Sequence, residues 1–427
     1  MIASFFTKRA AKNAGWLMTG RVIHMALAFL VNLLTARYLG PSNYGLVNYA
    51  ALYTAFFASF ATLGLSSLLL KDFMENPQDA GTAVGTSIAM RLLSSALSAV
   101  TIVAIVSVVD RGERLTLTVV ALYSMSLVFQ AFDTIRYWFQ SHLESKYATI
   151  ATSVGYLIVS AYKVLLLVLG KDVRWFAISN TIDYAVSAVI FLGLYKWRGG
   201  PRLHISLSKG RSLLRQSGSF ILCGLMVSVY NCTDRFMLKH LLDEASVGYY
   251  ATATSLATVW TFVLSAIIDS ITPGIMQAFR EDRERYTRHN RQLYALVFYL
   301  SVGVSAVITL LARPAVGLLY GQEFLPAVNP MQVITWYTAF SYLGVARGAW
   351  VVCEGKQRYL TPLYIGSAMV NVALNFLLIP QWGATGAAVA SLLTQISTTF
   401  VFPLIIRPLR PNARLMLDAV LLRGVLP

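Results

Sequence analysis

The chain has 427 residues, of which 56% are hydrophobic and only 13% charged, yet its formal net charge is +16 and its mean hydropathy is +0.61. Ordinary soluble domains carry roughly twice that share of charge, so a soluble enzyme is excluded. A basic nucleic-acid binder, whose positive charge comes on a polar background, is excluded with it.

An apolar run of about 20 residues crosses the hydrocarbon core as a helix. Broken at charge clusters and Gly/Pro turns, the sequence yields predicted spans at 14–36, 45–70, 80–109, 115–140, 147–169, 175–195, 216–242, 248–276, 293–319, 328–353, 358–379 and 384–406. The expected fold is all-α, a polytopic bundle of about twelve helices. The domains read as an N-terminal lobe (1–195), a basic linker (196–215), a C-terminal lobe (216–406) and a tail (407–427). Ahead of the first span, Lys8, Arg9 and Lys12 follow Ile2, Phe5 and Phe6 in a possible interfacial stretch. That span is too long for a signal-peptide core and should remain as helix 1. Cys223, Cys232 and Cys353 all fall in spans and read as small packing residues, with neither disulfide nor metal-ligand spacing.

With twelve spans, charge sorts by side: net +13 in the termini and loops on one side, −1 on the other and +4 within the spans. The positive-inside rule then places both termini in the cytoplasm. The segment 196–215 carries six basic residues and no acid (Lys196, Arg198, Arg202, Lys209, Arg211, Arg215), and 280–291 is dense but mixed in sign. Topology signal plus contact with anionic headgroups accounts for both. External loops are short, and phosphate-loop, zincin and nucleophile-elbow motifs are missing from the sequence, so the expectation is a protein that is not an enzyme.

The halves repeat. RYLGPSNYGLVNYA at 37–50 aligns at an offset of 203 with HLLDEASVGYYATA at 240–253, setting Tyr44-Gly45 on Val247-Gly248. Lys146-Tyr147 echoes Arg358-Tyr359 at an offset of 212. Six helices per half preserve orientation, which defines a parallel repeat and predicts two bundles that open alternately.

A charge near the bilayer centre is costly and faces a cavity or a partner. Arg21 and His24 share a face of helix 1, Arg91 lies deep in helix 3, Asp183 is central in helix 6, and Asp234 and Arg235 lie somewhat off centre in helix 7. Asp133 and Asp269 complete the acids within the spans. Arg136, Lys163, Lys239, Arg313 and Arg347 lie near enough to helix ends to snorkel. The surplus of +4 predicts a cationic cavity for an anionic ligand, with Arg21, His24, Arg91 and Arg235 as substrate-binding candidates. Arginine suits phosphate because its fork donates two hydrogen bonds. Asp183, Asp234 and Asp269 are the candidates for ion pairing or for a coupling cation. Neither a cofactor nor a metal is expected, and coupling to an H⁺ or Na⁺ gradient is left open.

The ordered set of RYLGPSNYG at 37–45, DRF at 234–236, VGYYA at 247–251, LYGQEF at 319–324 and IPQWGATGAA at 379–388 resembles the bacterial polysaccharide-unit flippases. These O-antigen and capsule translocases share a superfamily with multidrug extruders and lipid II flippases. The resemblance spans residues 10–405. It implies two lobes, a central cavity and alternating access. It also implies transfer of an undecaprenyl-diphosphate-linked oligosaccharide from the cytoplasmic to the outer leaflet of the inner membrane. Implied partners are that glycolipid, membrane lipids and the polysaccharide assembly machinery, with no nucleic acid. A cationic cavity ranks this branch above the drug extruders. The lipid II branch, which usually carries further helices, ranks lower. A membrane-embedded glycan polymerase subunit is the alternative from another class, and it would need a large external loop.

Overall fold

The computed structural model describes residues 8–423 and, within them, every side chain but those of 8–24, 26, 67, 219, 223, 226, 227, 230 and 231. The stretch 1–7 and the Cys223 side chain therefore lie outside the described residues.

In chain order the helices are α1 (Lys8–Thr62), α2 (Ser66–Glu75), α3 (Ala80–Val109), α4 (Arg114–Ser124), α5 (Ser126–Gln130), α6 (Thr134–Ser141), α7 (Ser145–Val168) and α8 (Val173–Trp197). They continue with α9 (Leu207–Leu241), α10 (Glu244–Thr258), α11 (Phe262–Glu281), α12 (Arg283–Leu319), α13 (Val328–Cys353), α14 (Leu360–Ile396), α15 (Phe402–Ile405) and α16 (Arg410–Val420). Among the described residues there is no strand, and seven helical stretches are long and apolar enough to cross a bilayer. The protein is an all-helical, multi-pass membrane protein.

Helices rather than strands follow from the solvent: in hydrocarbon every backbone polar group must be satisfied within its own segment. The predicted spans 80–109 and 328–353 coincide with α3 and α13. Elsewhere the breaks move. The first predicted span and most of the second join in α1, which turns at Gly40 (φ 70°), and the remainder of the second breaks off at 63–65 into α2. The last two join in α14, which turns at Gly383 (φ 57°), and run on through Ser397–Val401 into α15. The span predicted at 115–140 is interrupted by a tight turn at Ala131–Asp133 and ends in α6. Inside the stretch read as a tail, α16 packs on α12: Asn412 donates to the Tyr294 hydroxyl (2.8 Å), and Arg291 pairs with Asp418 (3.0 Å).

The chain forms two compact units. The first is built from residues up to Leu39 with Leu46–Cys232, and the second from Gly40–Gly45 with the chain from Thr233 onward. The boundary therefore falls inside α9. The first unit centres on Leu65, Leu69, Phe139, Ala151 and Phe191. The second has one core around Leu264, Tyr294 and Leu343 and another around Leu238, Val247, Ile379 and Ala387. The small residues of the latter (Gly386, Ala387, Ala388, Ala390) let helices approach closely, which is how helices associate where solvent supplies no hydrophobic drive.

The repeat is visible at its two turns. A Cβ on Gly45 would overlap the Glu244 carbonyl, and one on Gly248 would overlap the Pro41 carbonyl. The offset of 203 sets Gly45 on Gly248 and Pro41 on Glu244, so the two contacts are equivalent and the turns pack on each other reciprocally within the second unit. At the weaker echo, the Lys146 ammonium lies 4.6 Å from the Tyr147 ring centroid and the Arg358 guanidinium 4.7 Å from that of Tyr359.

Candidate functional site

In the second unit the polar centre is Asp234 on α9, which is 8% exposed. Its Oδ1 accepts from Asn375 Nδ2 (2.7 Å), and its Oδ2 accepts from the Tyr250 hydroxyl (2.7 Å) and the Ser391 hydroxyl (2.5 Å). Asn375 also donates to Asn371 Oδ1 at 3.1 Å. The partners come from α10 and α14 and are all neutral. Three donors converging on one carboxylate satisfy its lone pairs inside an apolar bundle, where an unmet charge would be costly. The oxygens of Asp234, Asn371 and Ser391 form a hard donor set of the kind that suits a proton or an alkali cation. Among the described residues no group of three or more His, Cys, Asp or Glu side chains could hold a metal ion.

Arg235, the next residue, is half-buried, and its Nε is buried without a hydrogen-bond partner. Asp269, mid-way along α11, is exposed. Ser270 and Gln277 are exposed on the same helix, which places three polar side chains on the second half of the membrane-length stretch Glu244–Glu281.

The first unit is arranged differently. Arg91 on α3 is 2% exposed, its Nη1 donates to Thr134 Oγ1 (3.0 Å), and its Nε has no partner. Asp133 lies within electrostatic reach of both Arg91 and Arg136. Asp183 is within reach of Lys163 and of Asp133. The result is a cluster of three bases and two acids, with the Tyr156 and Tyr184 side chains beside Asp183. Gly155 makes room for it, since a Cβ there would meet Ser187 Oγ at 2.5 Å and Asp183 Oδ1 at 3.5 Å. Arg21 and His24 belong to α1, and their side chains lie outside the described residues.

Two residues expected to snorkel do not. Arg347 is 1% exposed and donates through Nη1 to the Thr398 carbonyl (3.2 Å). Thr398 lies in a π-helical stretch, Ser397–Val401, and such a bulge disturbs the helical ladder and leaves a carbonyl available. Lys239 is buried and ion-paired with Glu244 across the α9–α10 turn. Arg136 and Arg313 are exposed.

The motif residues are mostly builders of turns. Tyr44 and Tyr249 each set a ring edge against Phe324 (6.2 and 6.4 Å), and Gly386 sits where a Cβ would overlap the Leu378 carbonyl. Tyr250, Asn375 and Ser391 went unread as site residues. The available signal was Tyr250 beside Gly248 and the pair Asn371/Asn375, polar residues at i, i+4 in an apolar run. A cavity of about 450 Å³ opens at one end of the first unit beside Trp138 and His142. Its guanidinium and carboxylate, Arg198 and Glu144, close on each other at 2.5 Å.

The family model for "Polysaccharide biosynthesis protein" matches residues 34–329. The capsular polysaccharide biosynthesis protein CapF of Staphylococcus aureus is 18% identical over 397 residues, covering 90% of this chain and 96% of CapF. Among solved structures, an inward-facing multidrug resistance MATE family transporter of the MOP superfamily is similar with a TM-score of 0.70 at 14% identity, over 91% of this chain and 96% of that one. The lipid II flippase MurJ, in an inward closed conformation, also reaches a TM-score of 0.70, at 13% identity over 96% of this chain and 91% of that one. At such identities the likeness shows a shared fold. The family match covers well over half of the sequence, and the chain belongs to the polysaccharide biosynthesis protein family.

Proposed function

We propose that this protein is a flippase that moves an undecaprenyl-diphosphate-linked oligosaccharide from the cytoplasmic to the outer leaflet of the bacterial inner membrane by alternating access, with both termini cytoplasmic. The observation that carries this reading is the family match over residues 34–329, to which CapF adds a relative named for capsule biosynthesis. An anionic cargo is supported by guanidinium groups with unfilled donors inside apolar helices: the Nε atoms of Arg91 and Arg235 are buried and unpartnered. In a state of the transport cycle that uncovers them, each can donate to a phosphate oxygen, and a charged acceptor returns more than a neutral one. Arg21 and His24 join them as cargo contacts. Asp234, held by three neutral donors, is the coupling group and exchanges a proton or a sodium ion. Asp183 and Asp269 are second candidates for that role.

The test is translocation of the diphosphate-linked glycolipid in proteoliposomes by Arg91→Gln and Arg235→Gln variants that retain the thermal stability of the native protein. Each variant is expected to slow transfer at least about tenfold, the value of one charge-assisted contact. Normal rates in both would remove the arginines from cargo recognition. Asp234→Asn is expected to abolish the dependence of transport on pH or on Na⁺. A dependence that survives in this variant moves the coupling group elsewhere.

A further inference from the structure

The segment after α8 is basic, and the structure shows how it is held. The ends of α6 and α8 and the start of α3 converge on one end of the first unit, where Ala80, His142 and Pro201 line the same cavity. From there residues 201–206 run without regular secondary structure along the first turns of α3. The backbone of Arg202 lies against Gly81 and that of His204 against Gly85, so close that a Cβ on either glycine would overlap it. His204 N donates to the Gly81 carbonyl (3.4 Å), and Ser206 N donates to Thr86 Oγ1 (2.9 Å). Lys209 closes the far end on Asp72 at 2.6 Å.

The strap is pinned by its backbone, which leaves its side chains outward. Leu203, Ile205 and Leu207 are 43%, 72% and 90% exposed, and Trp197 is 70% exposed. Glu144 takes Arg198 and Asp72 takes Lys209, but Lys196, Arg202, Arg211 and Arg215 have no acidic partner among the described residues. Large apolar side chains interleaved with unpaired cations are unfavourable in water alone. They match the boundary between acyl chains and negatively charged headgroups. The location agrees, since the strap leaves the end of α8 and lies on the first turns of α3, both in stretches long and apolar enough to cross a bilayer, and so lies at the level where headgroups begin.

We propose that residues 196–215 form a preset anionic-lipid contact: Leu203, Ile205 and Leu207 enter the headgroup boundary, and the four unpaired cations engage lipid phosphates. Because the strap is already ordered on α3, binding costs little conformational entropy, and the contact fixes one end of the first unit in one leaflet. The inference needs only the multi-pass membrane reading and is independent of the cargo.

The test uses the full-length protein in nanodiscs of phosphatidylcholine alone and of phosphatidylcholine mixed with phosphatidylglycerol. An environment-sensitive fluorophore is attached at Ile205→Cys in a background with Cys223, Cys232 and Cys353 replaced by serine. The expected result is quenching by a shallow spin-labelled lipid, stronger in the phosphatidylglycerol discs. Replacing Lys196, Arg202, Arg211 and Arg215 by glutamine should lower phosphatidylglycerol retention in native mass spectrometry at least about tenfold. A fluorophore that stays in water in both discs, or quenching and retention indifferent to phosphatidylglycerol, would overturn the proposal. A quadruple variant that melts early is replaced by Lys196→Gln with Arg202→Gln, for which a several-fold loss is the requirement.

Discussion

The polar centres of the two units compensate charge by different means, although the second unit also pairs Lys239 with Glu244 and the first sets the Tyr49 hydroxyl on Asp110. The first sets charge against charge: buried Arg91, half-buried Lys163 and exposed Arg136 lie within electrostatic reach of the half-buried Asp133 and Asp183. The second gives its most buried acid, Asp234, only neutral donors, and gives its most buried base, Arg347, a backbone carbonyl. Charge–charge compensation tolerates loose geometry because Coulomb attraction falls off slowly with distance. Compensation by hydrogen bonds requires partners at fixed positions. A carboxylate held only by neutral groups also keeps its charge available to a visiting cation, which an ion-paired one does not. The repeat-related turns at Gly45 and Gly248 agree where the charges differ, so the repeat preserves helix packing and leaves the chemistry free to diverge.

The comparison can be broken in order of effect. Gly248→Val should be the most damaging change: the added side chain has to displace the Pro41 carbonyl, at a cost of about 3 kcal/mol or more. Loss of folded, monodisperse protein in detergent is the readout. Gly274→Val, where nothing lies near the added Cβ, should leave the yield largely intact.

Next is Asp234→Ala, which strands the Asn375, Tyr250 and Ser391 donors. Each orphaned buried donor costs about 1–3 kcal/mol, although Tyr250 and Ser391, 3.2 Å apart, partly rescue each other, so a net loss of about 3 kcal/mol is expected in thermal unfolding. Asp234→Asn keeps the shape and should cost less than about 1 kcal/mol, because the hydroxyls can turn to accept. Equal losses in the two variants would show that the negative charge itself holds this unit together.

The smallest effect is the sharpest discriminator. A double-mutant cycle of Asp183→Asn with Lys163→Met should give a coupling of about 0.5–1 kcal/mol or more, as expected for interacting charges. The parallel cycle of Asp234→Asn with Arg235→Met should give less than about 0.3 kcal/mol, because consecutive residues on a helix point apart. Similar coupling in both cycles would erase the distinction between the units.

Much of the fold was legible because a bilayer imposes a coarse rule on sequence. The α3 and α13 runs are apolar for their whole length and bounded by polar residues, so their ends could be read directly. The Ala131–Asp133 break carries neither Gly nor Pro, so it left no local mark. The helix at Arg410–Val420 is too short and polar for a span and is defined by Asn412 and Asp418 meeting α12, over a hundred residues earlier. Depth along a helix misplaced Arg347, because distance from the helix end says nothing of what covers the side chain; the covering group is the Thr398 carbonyl. Asp234 was legible as an intramembrane acid, but its partners were not. Asn375 and Ser391 lie 141 and 157 residues away and become neighbours only when α14 folds against α9.

The measurement that bears most directly on the central claim is transfer of an undecaprenyl-diphosphate-linked oligosaccharide across the bilayer of proteoliposomes containing the purified native protein. It is read by exposure of the glycan to a membrane-impermeant reagent. Exposure that rises well above that in protein-free liposomes, and slows when Arg91 or Arg235 is replaced by glutamine, is the predicted result. Exposure no different from that in protein-free liposomes would contradict the account.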